Sequence, residues 1–454
     1  MRWVTGLRRK LNGRTSSKGL FLKVTAAAGG SVVRAEKIYG EEMKQKEKES
    51  ADIAGLMAGA PLSGVRVLDL SRVLTGPFCS MILGDLGAEV IKVEELKIGD
   101  QTRTIPPFVN KESHYFLAIN RNKKSICVDL KKPEGRELVL KIAAGCDVVL
   151  ENFRPGVLDR LNLGFDEFKR VNPRLIICSI SGFGQTGPLR EMPSFDLVTQ
   201  AMSGVMSING EPDGPPTKIG LPMGDIGGGL WAAIAILAGL QKRNATGKGS
   251  RIDISLLEGL MGLLGYLAEL YFVTGDSPGR VGSAHHSITP YGRYPVKDGS
   301  IVIALHVGSF WRKFCVAIER EDMIADPKYR TTADRFRNKK ELEALVIQIL
   351  STKTVAEWHK ILEREDIPHG SVNGVGEAIE QEVIKQRELV RTVKHPAAGD
   401  VKLIGCPIKF DGFDDAKYAP SPMLGEHTRD VLLELGYSEA SIGKLCETGV
   451  ISVQ

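Results

Sequence analysis

Residues 65–94 read VRVLDLSRVLTGPFCSMILGDLGAEVIKVE, and this stretch decides the fold class. Its first six and last seven residues are short apolar runs typical of strands, and Pro77–Leu86 between them predicts a helix with proline near its start. Two strands joined by a helix form a βαβ unit, which requires a parallel sheet. Outward from this unit the alternation continues, with strands predicted at 124–130, 147–153 and 175–181 and a helix at Pro133–Ala144. The pattern predicts an α/β fold with a Rossmann-like parallel sheet.

The second half of the chain changes in texture after about residue 265. Residues 280–390 carry shorter elements and more charge, which favours a smaller α+β domain there. The closing stretch contains a Gly-Pro-rich loop and an amphipathic helix, Thr428–Leu435. We therefore expect a large domain formed by residues 61–265 and 395–454, with the smaller domain inserted between its two parts.

Composition narrows the class of protein. The chain has 454 residues, of which 43% are hydrophobic and 25% charged, an ordinary globular balance. The formal net charge is +5, but residues 1–34 contain eight basic residues and no acidic one. Subtracting those eight charges leaves −3 for residues 35–454, so the basic balance gives no argument for nucleic-acid binding.

The basic N-terminus predicts the cellular compartment of the protein. A stretch rich in Arg, Lys and Ser/Thr and free of acids is typical of a mitochondrial presequence. A plastid transit peptide and a disordered tail are the alternatives, and a cytoplasmic location stays open. We assign residues 1–60 to this leader and its linker and expect a matrix protein.

The cysteines, the histidines and the apolar runs of the sequence predict its redox state, metal content and membrane association. Seven cysteines without a CxxC pair predict reduced, mostly buried thiols. Eight histidines without HExxH or paired spacing predict no metal site. The longest apolar run, Ile226–Leu240, is shorter than the ~20 residues that cross a bilayer, so we expect no membrane partner.

Several common chemistries lack their motifs. The turn after the first strand reads LSRVLTGP instead of G-x-G-x-x-G, which disfavours a dinucleotide cofactor. No GxxxxGK[ST] and no G-x-S-x-G occur, which excludes P-loop and ordinary α/β-hydrolase chemistry.

The segment KIGLPMGDIGGGL, residues 218–230, is unusual because Asp225 precedes three glycines and a long apolar helix. One interpretation is structural: aspartate is a favoured helix N-cap, and the glycines allow close packing. The other is catalytic: the helix dipole keeps the carboxylate ionised as a nucleophile, and glycine leaves room and N–H donors for substrate. Spacing alone leaves both open.

Six stretches in collinear order resemble the class III CoA-transferases, between about residues 62 and 445. The matching motifs are LSGVRVLDLSRVLTGPFCSMILGDLGAEVIKVE, NRNKKSICVDLKKPEG, DVVLENFRPGVLDRLNLGF, SISGFGQTGP, GDIGGGL and PMLGEHT. The words NRNKKSI, GFGQTGP and GSAHHSITPY resemble the branch that moves CoA from succinyl-CoA to glutarate or hydroxymethylglutarate. The resemblance implies an interlocked homodimer that uses CoA as a substrate and holds no permanent cofactor.

The same resemblance implies roles for single residues. Asp225 matches the family's catalytic aspartate, which forms an aspartyl-CoA thioester. Positions matching CoA contacts are Leu74, Thr75, Val128, Lys131, Asn152, Phe153 and Arg160. Glu95 stands where formyl-CoA transferase has a CoA-binding arginine, so no CoA contact is expected there. Arg103, in a nearby D-x-T-R context, is a weaker phosphate candidate.

Residues that contact the acceptor acid are predicted from their charge and from positions where this chain differs from the motifs of related enzymes. GSAHHSI replaces the glycine loop of formyl-CoA transferases, so His285 or His286 is expected to line the pocket, and oxalate is disfavoured as acceptor. Arg72 is the candidate partner for the far carboxylate of a dicarboxylate. The alternative activity is that of the related α-methylacyl-CoA racemases. Phe195 stands where those have a proton-transferring histidine, and Asp196 after it is expected to contact CoA or support the site.

Overall fold

A computed structural model of the protein describes residues 59–413 and 418–453. The strands in these residues are β1 Arg66–Asp69, β2 Glu89–Glu94, β3 Phe108–Val109, β4 Glu112–Ser113, β5 Lys123–Val128, β6 Val148–Glu151, β7 Ile176–Ser181, β8 Ser250–Ser255, β9 Tyr291–Val296, β10 Gly299–Ala304, β11 His369–Ser371, β12 Val390–His395, β13 Gly399–Ile404 and β14 Ile451–Ser452.

The helices in the same residues connect and cover these strands. They are α1 Thr75–Asp85, α2 His114–Ile119, α3 Pro133–Ala144, α4 Val157–Arg160, α5 Phe165–Val171, α6 Asp196–Met202, α7 Val205–Ile208, α8 Met223–Thr246, α9 Leu256–Leu263, α10 Tyr266–Thr274, α11 Gly308–Ala317, α12 Asp322–Ala325, α13 Thr332–Arg337, α14 Lys339–Leu350, α15 Val355–Arg364, α16 Val375–Ile379, α17 Glu382–Gln386, α18 Thr428–Glu434 and α19 Glu439–Glu447.

A seven-stranded sheet forms the centre of the larger part, in the order β14-β5-β2-β1-β6-β7-β8. Every neighbouring pair is parallel except β14 with β5. Helices α1 and α8 pack on one face, where Leu83 and Ile236 bury against Val148. Helices α3, α5, α18 and α19 pack on the other, around Leu68 and Val149. The predicted α/β fold with a parallel sheet covered on both faces is confirmed.

The sheet also explains where a ligand should bind. The chain builds β1, β2 and β5 towards one edge, then returns to the centre with β6 and continues with β7 and β8 to the other edge. The switch in direction lies between β1 and β6. In such sheets the crevice beyond the carboxyl ends of the strands at this switch is the usual ligand site. In this protein β1 ends at Asp69 and β6 ends at Glu151.

A second sheet has its own core. Strands β9, β10 and β11 pair antiparallel in the order β11-β10-β9. Their inner side chains pack with helices α11, α14 and α15 around Trp311, Phe314 and Trp358. The chain then returns to the large sheet, where Ile451 pairs with Val128. The exact boundaries of the two domains stay a prediction.

Two predicted helices differ in length from the observed ones. The apolar stretch Leu257–Val273 of the sequence predicts one helix, but the structure has two, α9 and α10, which are bent by 77° across a break at Gly265. Glycine suits this break because its φ is +53°. The sequence predicts a long apolar helix over Gly227–Leu240, whereas α8 begins four residues earlier, at Met223, and has 24 residues.

The longer α8 bears on the membrane prediction. Helix α8 is long and apolar enough to cross a membrane, although the apolar run Ile226–Leu240 of the sequence is too short. The bent pair of α9 and α10 is also long and apolar enough when the two helices are taken together. Half of the most apolar window of α8 is buried inside the protein, as in a core helix. The expected absence of a membrane partner stays a prediction.

The cysteines of the chain are free thiols. All seven cysteines are free and six are buried, as predicted. Within the described residues, no group of three His, Cys, Asp or Glu side chains could hold a metal ion. The predicted presequence lies outside the described residues.

Candidate active site

Asp225 lies in the first turn of α8, where it is the third helical residue and is half-buried. The N-cap position belongs to Pro222, which makes no side-chain cap. The carboxylate of Asp196 takes that role, because its Oδ1 accepts the N–H of Gly224 at 2.7 Å and that of Asp225 at 3.4 Å. The N-cap interpretation of Asp225 is therefore wrong, and its carboxylate is free to serve another purpose.

The environment of Asp225 makes it a less acidic carboxyl than usual. Burial raises its pKa to about 6, and the nearby charge of Asp196 adds to the rise. The hydroxyl of Thr75 donates to Asp225 Oδ1 and works against it. The catalytic interpretation predicted that the helix dipole keeps this carboxylate ionised, whereas burial has the larger influence on its pKa and raises it. A pKa of about 6 still leaves the group mostly ionised at neutral pH, as a nucleophile requires.

The three glycines after Asp225 serve packing. A Cβ on Gly229 would lie 2.8 Å from the Thr75 carbonyl oxygen and 3.0 Å from the ring of Phe78. A Cβ on Gly228 would lie 2.4 Å from Leu256 Cδ2. From Gly227 onwards the N–H groups face carbonyls four residues earlier in the helix, so they are not free for an oxyanion. The glycines let α8 approach α1, and the expected substrate space and N–H donors are not found there.

The turn between β1 and α1 is held by buried charges. The carboxylate of Asp69 accepts the Ser71 N–H at 2.9 Å, and Lys92 Nζ donates to the Ser71 carbonyl at 2.8 Å. Asp100 accepts the N–H of Val73 at 3.2 Å and pairs with Lys92 at 2.9 Å. Val73 adopts φ +67°, a conformation that strains a β-branched residue. The ion pairs therefore maintain an unfavourable turn that ends at Thr75.

These charges remain ionised in spite of burial. Burial opposes ionisation of Asp69, but Lys92 and Lys123 outweigh it and lower its pKa. Burial lowers the pKa of Lys123 to about 8, although Asp69 opposes the shift. Asp69, Lys92, Asp100 and Lys123 were not among the predicted site residues, since charged side chains ordinarily face solvent.

Leu74 and Thr75 are the two residues of this turn that were predicted to contact CoA, and both side chains are buried. Leu74 is 6% exposed and packs with Met81 and Ile119. Thr75 is 4% exposed and its hydroxyl is on Asp225. A contact of Leu74 with CoA would have to come from its backbone.

The loop after β6 joins this turn at the sheet switch. Asn152 accepts the Arg72 N–H at 2.8 Å and donates to the Arg72 carbonyl at 2.7 Å. The Arg72 guanidinium carbon lies 4.6 Å from the Phe153 ring centroid. Beneath the loop, Glu151 accepts the Phe153 N–H at 2.8 Å, and burial raises its pKa to about 7. Predicted CoA contacts and the predicted acceptor contact thus form one cluster, in which the Asn152 amide links two backbones.

The remaining predicted CoA positions fall into two groups. Lys131 and Arg160 are exposed near the carboxyl edge of the sheet, after β5 and at the end of α4. Val128 is 2% exposed in the main core, so only its backbone can reach a ligand. Arg103 is enclosed: it pairs with Glu94 at 2.7 Å through two nitrogens and lies 3.5 Å from the Phe116 ring centroid. Its charge is already balanced, which argues against the predicted phosphate contact.

The two histidines of the GSAHHSI loop have different partners. The His285 ring stacks on Tyr266 at 5.7 Å between centroids and lies 5.2 Å from Tyr291. Burial and then the charge of His286 lower the pKa of His285. His286 Nε2 lies 3.0 Å from the Gly279 carbonyl oxygen. That these rings line the pocket stays a prediction.

Tyr115 packs against the cluster of Leu74, Met81 and Ile119, next to the turn that carries Thr75, and it was not among the predicted site residues. It lies in the first turn of α2, and burial raises its pKa to about 12 with contributions from Asp225, Asp100 and Asp196. In the sequence it belongs to an apolar run, HYFLAI, which carries no signal of function.

Comparison with known proteins identifies the family to which the chain belongs. The model of CoA-transferase family III matches residues 62–428. A mouse succinyl-CoA:glutarate CoA-transferase is 42% identical over 86% of this chain and 90% of its own length. An acetyl-CoA:oxalate CoA-transferase from Acetobacter aceti is 37% identical over 84% of this chain and 97% of its own length.

A solved structure has the same fold. The crystal structure of a CAIB/BAIF family protein from Brucella suis superposes with a TM-score of 0.73 at 36% identity, covering 83% of this chain and 99% of that one. The chain therefore belongs to CoA-transferase family III and is a CoA-transferase.

Proposed function

We propose that the protein transfers CoA from succinyl-CoA to a dicarboxylic acid such as glutarate or hydroxymethylglutarate, with Asp225 as the covalent carrier. The observation that carries the proposal is the half-buried Asp225 carboxylate at the α1–α8 contact, beside the sheet switch. The names of the two relatives support a dicarboxylate acceptor, since glutarate and oxalate both belong to that class.

The proposed chemistry needs only acyl transfer. An Asp225 oxygen attacks the thioester carbonyl of the donor, the C–S bond breaks, and CoA leaves as a thiolate. The thiolate then attacks Cγ of Asp225 in the mixed anhydride and releases succinate, which gives an aspartyl-CoA thioester. The acceptor carboxylate displaces the thiolate from Cγ, and the thiolate finally attacks the acceptor acyl carbon and frees Asp225. No oxidant, metal or proton donor is needed to balance these steps.

CoA is a substrate in this proposal, and no permanent cofactor is required. Asn152 and Phe153 offer an amide and an aromatic face at the sheet switch, and the exposed Lys131 and Arg160 offer cations. These chemistries suit a nucleotide with phosphates.

We also propose a homodimer. The surface of α8, α9 and α10 exposes large apolar side chains that water covers poorly: Leu230, Ile234, Met261, Leu263, Tyr266, Tyr271, Phe272 and Val273. A second copy of the chain would cover this surface, and sedimentation at several concentrations would test it. Import into the mitochondrial matrix is proposed on the composition of residues 1–34 and is testable by imaging the full chain fused to a fluorescent protein.

The racemase alternative lacks its second acid-base group. Phe195 stands at the matching position and is 73% exposed. Incubation of an α-methylacyl-CoA in deuterated buffer separates the activities, because a racemase exchanges the α-proton and a transferase does not.

The proposed function is tested with succinyl-CoA and a panel of acids, namely glutarate, hydroxymethylglutarate, oxalate and a monocarboxylate, followed by chromatography of the thioesters. We expect dicarboxylyl-CoA products. Hydroxylamine added during turnover should label Asp225 only when donor is present. Absence of any new thioester across the panel would contradict the proposal.

A further inference from the structure

We propose that Thr75 is a catalytic residue. Its hydroxyl fixes Oδ1 of Asp225, leaves Oδ2 as the attacking atom, and then donates to the oxyanion that forms on Oδ1. This inference rests on the proposed function, since it assigns a step within the aspartyl mechanism. It also replaces the role that the family resemblance implies for Thr75, which is contact with CoA.

The packing of two helices fixes the hydroxyl in place. Thr75 is the first residue of α1 and is 4% exposed. A Cβ added to Gly228 would lie 3.1 Å from the Thr75 methyl carbon. A Cβ added to Gly229 would lie 2.8 Å from the Thr75 carbonyl oxygen. A β-branched side chain has few χ1 rotamers even without such neighbours. The hydroxyl therefore has little freedom to turn away from Asp225.

The contacts of Asp225 make its two oxygens unequal. Oδ1 accepts the Thr75 hydroxyl, whereas within the part of the chain that the structure describes no donor reaches Oδ2. The other carboxylate at this helix end, Asp196, receives the backbone N–H groups of Gly224 and Asp225. Because Oδ2 loses no hydrogen bond on attack, it is the better nucleophile.

The same contact acts in the second half of the reaction. When the CoA thiolate attacks Cγ of the anhydride, the carbonyl electron pair moves onto Oδ1. The Thr75 hydroxyl already points at this atom and so donates to the developing oxyanion without rearrangement. The intermediate collapses by expelling succinate with the original Oδ2, and the carbonyl on Oδ1 is restored. The thioester carbonyl formed there remains bonded to Thr75 when the acceptor attacks.

A pair of variants tests the proposal in the full-length protein. Thr75→Val keeps the shape and removes the donor, whereas Thr75→Ser keeps the donor. We expect Thr75→Val to lower kcat by about 10²-fold, the usual loss of one oxyanion donor. KM for succinyl-CoA should stay within about twofold, and Thr75→Ser should recover most of the rate.

The pH profile separates this role from a purely structural one. Asp225 must be ionised to attack, so kcat/KM falls as pH drops below about 6. The Thr75 hydrogen bond lowers that pKa, and its loss in Thr75→Val should move the acid limb to higher pH. A variant that only loosened the fold would lower the rate at every pH and leave the limb in place.

Two results would overturn the proposal. An unchanged kcat with a raised KM for succinyl-CoA in Thr75→Val would make Thr75 a CoA contact, as the resemblance implies. An unchanged kcat and an unchanged acid limb of the pH profile in Thr75→Val would show that Thr75 has no catalytic role. Both results require active wild-type enzyme, whereas failure of the proposed function appears as a wild type that makes no new thioester.

Discussion

The two sheets of this protein treat buried charge in opposite ways. Beside the seven-stranded sheet, Asp69, Lys92, Asp100 and Lys123 are each at most 1% exposed. Around the three-stranded sheet, in residues 280–390, Arg335 is the one fully buried charged side chain. Since burying ions costs free energy that apolar packing does not, the difference suggests that the larger sheet keeps its charges for the turn they hold, while the smaller one is built for stability.

The partners of these charges support that distinction. Lys92 and Asp100 both reach the backbone of the turn that carries Thr75, through Ser71 and Val73. Arg335 donates to carbonyls of Thr289 and Tyr329 at 3.2 and 3.1 Å, and these contacts only join elements of its own core. Substitutions should therefore separate activity from stability differently in the two regions.

The largest effect is expected at Asp225. Asp225→Ala removes the proposed carrier and should abolish transfer, a loss of about 10⁴-fold or more, in line with removal of a covalent nucleophile. Because its carboxylate does not cap α8, the thermal unfolding midpoint should barely change. Product formation from succinyl-CoA and glutarate measures the first effect. Asp276→Ala, on an exposed loop, is the control and should be fully active. Near-normal turnover of Asp225→Ala would refute the assignment.

The next effect compares the two buried cations. Lys92→Met leaves the Asp100 carboxylate buried without its partner and should cost about 3–5 kcal/mol of unfolding free energy. It should also lower kcat of the folded fraction, because the turn before Thr75 loses its support. Arg335→Met leaves two carbonyls unpaired and should cost about 1–3 kcal/mol with kcat unchanged. Denaturant unfolding and kinetics on the same samples measure both.

A double variant guards against a Lys92→Met protein that does not fold. Adding Asp100→Asn removes the stranded charge, so stability should partly return while kcat stays low. Full recovery of kcat in the double variant would show that the ion pair serves stability alone, and the contrast between the two sheets would then fail.

Much of the fold was predictable because it depends on local patterns. The apolar runs around Leu68, Ile91 and Ile177 are strands in the sheet, and their alternation with helices fixes the parallel topology. The break at Gly265 was not predictable, since the apolar pattern continues through it. The early start of α8 was missed because its first turn is capped by Asp196, 29 residues away from Asp225 in the sequence.

The site was predictable only where a motif marks it. Asp225 and the Asn152–Phe153 pair came from motifs. Thr75 was noted as a CoA contact, but its bond to Asp225 joins residues 150 positions apart, and sequence carries no such distance. Tyr115 and the buried lysines lacked any local signal. Their roles depend on which neighbours the sheet brings together.

A smaller effect concerns the acceptor. If Arg72 binds the far carboxylate, Arg72→Ala should raise KM for dicarboxylates by about 10- to 100-fold, the worth of a charged hydrogen bond. Monocarboxylates should be nearly unaffected. Because Arg72 also stacks on Phe153, KM for succinyl-CoA must be measured in parallel, and Arg72→Lys keeps the charge as a control. Equal losses for mono- and dicarboxylates would show that Arg72 does not recognise the second charge.

The smallest change in stability is expected at Gly443, where an added methyl group would have open space. Gly443 lies inside α19, and a Cβ there would meet no atom within 4 Å. Gly443→Ala should therefore stabilise the protein by about 0.5–1 kcal/mol through helix propensity, with unchanged kcat. Gly229→Ala in α8 is its counterpart, because the added carbon would press on the Thr75 carbonyl oxygen; it should cost about 1–3 kcal/mol and lower kcat. Unfolding curves and initial rates on both variants measure the contrast. Equal behaviour of the two would mean that the α1–α8 approach is not what the glycines of the GDIGGG motif provide.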